Sequence, residues 1–126
     1  MIVTFRNTHG WIGSGLAQDI FNEFYRVLKK GGTLGVVQHR ADDGVDPALS
    51  AKDGYVSESA VKALAEKAGF EFDAASDINA NPKDNHDHPE GVWTLPPSLQ
   101  LGDKDREKYL AIGESDRMTL RFKKVD

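Results

Sequence analysis

The chain has 126 residues, 39% of them hydrophobic, 29% charged and 9% aromatic, values ordinary for one soluble globular domain. A net charge of -4 and a pI near 5.5 give no global electrostatic reason to expect nucleic acid or an anionic membrane as partner. The absence of cysteine excludes disulfides, thiolate metal sites and a cysteine nucleophile.

No basic amino-terminal region followed by an apolar run marks a signal peptide. No stretch approaches the roughly 20 apolar residues of a membrane span. A soluble, cytoplasmic protein is the expectation.

Residues 2 to 5, "IVTF", are β-branched or aromatic and read as a short strand. "NTHGWIGSG" (7 to 15) is rich in turn formers and offers Ser14 as a helix cap. The following "GLAQDIFNEFYRVLKK" places Leu16, Ile20, Phe24 and Val27–Leu28 on one helical face, with Ala17 and Phe21 flanking it. Lys29 and Lys30 suit the negative end of that helix, and Gly31–Gly32 stops it. "TLGVVQHR" (33 to 40) is a nearly continuous apolar run, the pattern of a strand covered on both faces.

Residues 41 to 54 read as a loop with room for a helical turn. Ser57 then caps a second helix, Val56 and Val61 have the spacing of a hydrophobic staple, and Gly69 ends the helix. Val61, Leu64, Ala65 and Ala68 form its apolar stripe. "FEFDAAS" (70 to 76) alternates as a strand, 77 to 102 is a long irregular excursion, and 103 to 113 reads as a short helix. "DRMTLRFKK" (116 to 124) sets Met118, Leu120 and Phe122 against polar neighbours, a half-buried strand. Strands alternating with helices argue for a parallel α/β sheet with right-handed crossovers. The last strand, reached by a long connection, has the option of inserting antiparallel.

"FYRVLKKGGTLGVV" (24 to 37) resembles the helix-Gly-Gly-strand element that joins the fourth and fifth strands of class I S-adenosylmethionine-dependent methyltransferases, with Lys30 at the family's usual proline. "VSESAVKALAEKAGFEF" (56 to 72) is similar to the family's next helix and strand. "SDINANPKD" and "GESDRMTLRFKK" extend the likeness toward a bacterial group of predicted methyltransferases. The resemblance implies a partial Rossmann-like sheet of about four strands, the last antiparallel, in a single half domain over 1–126. It also implies a transferase whose first three strands, with their Gly-rich turn and ribose-binding acid, have no counterpart in this chain. "GWIGSG" (10 to 15) contains GxxGxG, but behind the strand that resembles the fourth rather than the first. The expectation is a truncated methyltransferase-like chain, incomplete on its own.

Ligands of open α/β sheets bind beyond the carboxyl ends of strands. Arg6 to Trp11 leaves its strand at that end, and the family's matching loop borders cofactor and acceptor. The resemblance therefore makes Arg6 and Asn7 candidates for S-adenosylmethionine and His9 a catalytic proton acceptor. Trp11, His39 and Arg40 are the candidates for substrate. The plainer alternatives are that Asn7 and His9 satisfy backbone groups in a turn, that Trp11 is core, and that Arg40 pairs with Asp42 or Asp43. "DNHDHPE" (84 to 90) brings His86 and His88 among carboxylates, but a solvated loop is the preferred reading over a metal site.

A strand at residues 2–6 with no neighbour before it is an apolar edge, which invites pairing with a second copy. A homodimer through residues 2–6 is expected. The reading from another class is a non-catalytic, self-associating module; a third is a small enzyme working in the dimer cleft through His9, His39 and Arg40.

Overall fold

The computed structural model describes residues 1–125. Strand β1 (Ile2–Phe5) pairs in parallel with β2 (Thr33–Ala41), Ile2 opposite Leu34 and Phe5 opposite Val37. On the other side of β2 lies β5 (Arg117–Lys123), antiparallel, with Val36 opposite Leu120. The outer strand β4 (Glu71–Ser76) pairs antiparallel with β5, and the two-residue β3 (Val56–Ser57) adds to the end of β2 at Arg40 and Ala41. The sheet is thus mixed and open, in the order β1-β2-β5-β4, and the last strand of the chain inserts antiparallel into its middle.

Five helices accompany it: α1 (Thr8–Gly13), α2 (Ala17–Val27), α3 (Pro47–Ser50), α4 (Glu58–Ala68) and α5 (Arg106–Ile112). Helix α1 replaces the turn expected over 7 to 15. Gly10 and Gly13 are poor helix formers, but Trp11 and Ile12 pack against the main core, and that tertiary contact overrides propensity. Ser14 consequently closes α1, its Oγ donating to the Gly10 carbonyl at 3.0 Å, instead of capping α2.

The buried face of α2 is Ala17, Phe21 and Leu28, with Phe24 and Tyr25 partly covered, while Leu16 and Val27 are exposed. The apolar stripe is rotated from the one read in sequence. The helix ends at Val27, before Lys29 and Lys30. The cation at its end is Lys124, whose Nζ donates to the carbonyls of Tyr25 and Leu28 at 2.7 and 2.8 Å. Gly31–Gly32 forms a turn that exchanges backbone hydrogen bonds with Lys124. Helix α4 follows its sequence signals: Ser57 Oγ accepts from the Ala60 amide, Val56 and Val61 are fully buried, and Gly69 caps the end.

Helices α2 and α4 cover one face of the sheet, where Leu34, Val36, Met118, Leu120 and Phe122 meet Phe21, Val61 and Ala65. The other face carries Val3, Phe5, Val37, His39 and Arg117, none of them fully buried. Strand β2 is therefore covered on one face and only partly on the other, which corrects the reading of a doubly covered strand.

The excursion over 77–102 is tied to the rest of the fold at residues 84–88, where a solvated loop was expected. Asp84 is buried and accepts from the Tyr55 hydroxyl, the amides of His86 and Asp116, and His88 Nε2. No helix among the described residues is long and apolar enough to cross a membrane.

Candidate functional site

At the carboxyl ends of β1 and β2, on the face opposite α2 and α4, lies a cavity of about 320 Å³. Its walls include Arg6, Asn7 and His9 from the end of β1 and start of α1, His39 from β2, and Arg117 from β5. The Trp93 ring and the Pro96–Pro97 pair close it from the excursion. The sheet register explains the grouping: His39 stands directly opposite Arg117, because the antiparallel insertion of β5 sets its first residue against the end of β2.

His9 lies over this strand end with its ring centroid 5.7 Å from that of His39 and 5.9 Å from that of Trp93. The fully buried Gln38 holds it there, its Nε2 lying 3.1 Å from His9 Nδ1 while donating to the Gly54 carbonyl at 2.8 Å. Burial lowers the His9 pKa, opposed by its hydrogen bonding with Gln38, whose Oε1 lies 3.4 Å from His9 Nδ1. Ser115 Oγ is hydrogen-bonded to His39 Nδ1. Burial, then the positive field of His9, Arg117 and Arg6, pushes His39 down to about 4, against the opposing pull of Asp84. His39 is thus a neutral imidazole at pH 7, a state able to accept a proton.

Comparison with protein-family models, with curated proteins and with solved structures finds no match. The residues themselves carry the functional reading.

Two of the sequence-derived site residues are not in the cavity. Trp11 packs edge-on against Phe21 and Phe24 in the core, with centroids 6.5 and 5.8 Å away. Arg40 forms a two-pronged pair with Asp116 at 2.6 and 2.9 Å and reaches Glu58 at 2.7 Å. Its partners are neither Asp42 nor Asp43. These bonds raise its already high pKa further, the Asp116 hydrogen bond first. Arg6, Asn7, His9 and His39 do come together.

His86 bridges Asp42 and Asp116 at 2.7 and 2.9 Å, and its pKa is raised because these carboxylates outweigh its burial. Among the described residues no group of three His, Asp or Glu has metal-holding geometry.

Sequence reasoning did not find Trp93, Ser115 and Arg117. The signal for the last two was present in the possibility of an antiparallel last strand, which brings the "GESDR" turn beside the end of β2.

The fit to S-adenosylmethionine is partial. A cradle for a nucleotide-like cofactor needs glycines where a side chain would block the approach. Gly10 and Gly13 lie inside helix α1 and Gly15 in the turn that closes it, so "GWIGSG" is not the Gly-rich strand-to-helix turn of such a cradle. The cavity supplies Arg6 and Asn7 as exposed polar groups and no acidic partner for a ribose other than Glu114.

Proposed function

We propose that this chain is methyltransferase-like and that its cavity is the acceptor side of an S-adenosylmethionine-dependent methyl transfer. The observation that carries the reading is the convergence of Asn7, His9 and neutral His39 beyond the carboxyl ends of a parallel strand pair. In this reading Asn7 orients the acceptor and His39, held by Ser115, takes the proton of the group to be methylated. Gln38 fixes His9 at the rim. Placement of the acceptor in a shaped pocket is the contribution these residues make.

Because "GWIGSG" is taken up by helix α1 and its closing turn, the 126-residue chain by itself is proposed to be incomplete as an enzyme. The test is calorimetric titration with S-adenosylmethionine and its demethylated product. It compares this chain with a longer one that includes any in-frame coding sequence upstream of Met1. The expected result is saturable binding by the longer chain and none by the 126 residues at millimolar ligand. A stop codon directly upstream, or a longer chain that binds neither compound, would remove the reading.

A second reading, a self-associating module, rests on β1. Among the described residues that strand pairs only with β2, and Val3 and Phe5 are 54% and 56% exposed on the face opposite α2 and α4. Met1 and Val27, also exposed, flank the same edge. A second copy paired along residues 2–6 would satisfy the free backbone groups and cover these side chains. Sedimentation equilibrium at micromolar protein decides it, a monomer counting against association.

A further inference from the structure

Arg117 carries a buried nitrogen that its surroundings leave unsatisfied. Its Nε is buried without a hydrogen-bond partner among the described residues. Its nearest carboxylate, the exposed Glu114, is 3.7 Å from a terminal nitrogen, too far for a hydrogen bond. A buried guanidinium N–H left unpaired is costly. Nε itself is closed to solvent, so what the cavity can reach is the rest of a side chain that is 19% exposed.

Arg6 stands on the same cavity wall, exposed, on a residue of positive φ (59°) that re-aims the chain at the end of β1. Arg6 and Arg117 share the cavity wall with one acidic residue, Glu114, and with the neutral imidazoles of His9 and His39, in a protein whose net charge is -4. Such a local reversal of sign inside a concave site attracts and orients anions. The remaining wall is flat and apolar: Trp93, Val92 and the Pro96–Pro97 pair.

We propose that the cavity binds a small organic carboxylate with a flat apolar body, its carboxylate held by Arg117 and Arg6 and its body laid against Trp93. A planar, two-oxygen anion matches the guanidinium fork, which distinguishes it from a point charge. Glu114 is the internal counter-ion that the ligand displaces. The inference rests on the acceptor-side reading only for calling the ligand a substrate. Binding needs no methyl donor, so it fails or succeeds independently of methyl transfer.

The experiment is calorimetric or NMR titration of the 126-residue chain at pH 7 with benzoate, its neutral isostere benzamide, and inorganic phosphate. Benzoate is expected to bind saturably and at least about 10-fold more tightly than benzamide, the value of one charge-assisted hydrogen bond. Arg117→Gln and, separately, Arg6→Gln should each abolish most of that preference. The Arg6 variant guards against misfolding, because its side chain is exposed. Equal binding of benzoate and benzamide would overturn the proposal, as would a preference unchanged in both variants. Phosphate binding more tightly than benzoate would overturn the carboxylate assignment.

Discussion

His9 and His39 face each other at 5.7 Å between ring centroids, one carried by the first helix and the other by the second strand. Two partly buried imidazoles so close are disfavoured from being charged together, and burial lowers the pKa of both. The pair is an uncharged, proton-accepting surface at neutral pH, set among arginines.

The first prediction concerns acid. With His39 held down to about 4, the unfolded chain takes up a proton below its ordinary value near 6.5 that the folded chain refuses. This contribution is fully present above pH 6.5 and is lost as the pH falls toward 4, to an extent on the order of 3 kcal/mol. His86, whose pKa is raised, works in the opposite sense, stabilising below the unfolded value and less as pH rises through its folded value. Urea midpoints at pH 7 and pH 5 should show a smaller acid loss in His39→Gln than in the parent. A His39 imidazole resonance titrating near 6.5 would sink the prediction.

Arg40 is predicted to be structural. Arg40→Met removes the guanidinium shared by Asp116 and Glu58, leaving them His86 and a distant Lys62, and should cost about 3 kcal/mol in urea unfolding. The Asp116 carboxylate also accepts from the Asn81 amide and faces His86 Nε2, so the loss should loosen the excursion. Limited proteolysis of residues 77–102 reports it. Unchanged protection would contradict the clamp.

The two tryptophans should separate stability from binding. Trp11→Ala removes a core ring and is expected to cost about 3 kcal/mol or more. Trp93→Ala, at a residue 37% exposed on the cavity wall, should cost much less and weaken ligand binding instead. Equal stability losses would show that Trp93 is not a site residue.

Gly91 is where the excursion presses on the rest of the fold. A Cβ there would lie 2.3 Å from the Asp53 carbonyl oxygen, on a backbone of φ 58°. Gly91→Ala should destabilise by roughly 2–4 kcal/mol. Gly10→Ala, with nothing within 4 Å, should be neutral or slightly stabilising. Thermal unfolding of the two variants makes the comparison.

Val3→Lys tests the edge. A cation on the exposed side of the first strand is a known deterrent to strand pairing, so sedimentation should show loss of any dimer while the fold is retained. A dimer of undiminished stability would place association elsewhere.

Elements set by local chemistry were legible in the sequence. The Ser57 cap, the Val56–Val61 staple and the alternation of Met118, Leu120 and Phe122 are each encoded within a few residues, and each appears in the structure. Helix α1 was not legible because two glycines and an asparagine hide a segment held by Trp11 and Ile12 packing. The solvated loop read over 84–90 is instead tied down at Asp84 and His86, which was not legible because the partners Tyr55 and Asp116 are distant in sequence. Half of the cavity followed from strand ends, through Arg6, Asn7, His9 and His39. The other half needed the register of β5, since only pairing with β2 brings Arg117 and Ser115 alongside.

Phe5 is the last residue of the first strand and also part of the cavity wall, and it is more than half exposed. A strand added at this edge and a ligand in the cavity would both have the Phe5 ring within reach, and where both touch it they are coupled. Occupancy of the edge and filling of the cavity are then thermodynamically linked, each changing the affinity of the other by the same factor. A partner laid along Val3–Phe5 would act as a modulator of the pocket, and the ligand in turn as a reporter of assembly.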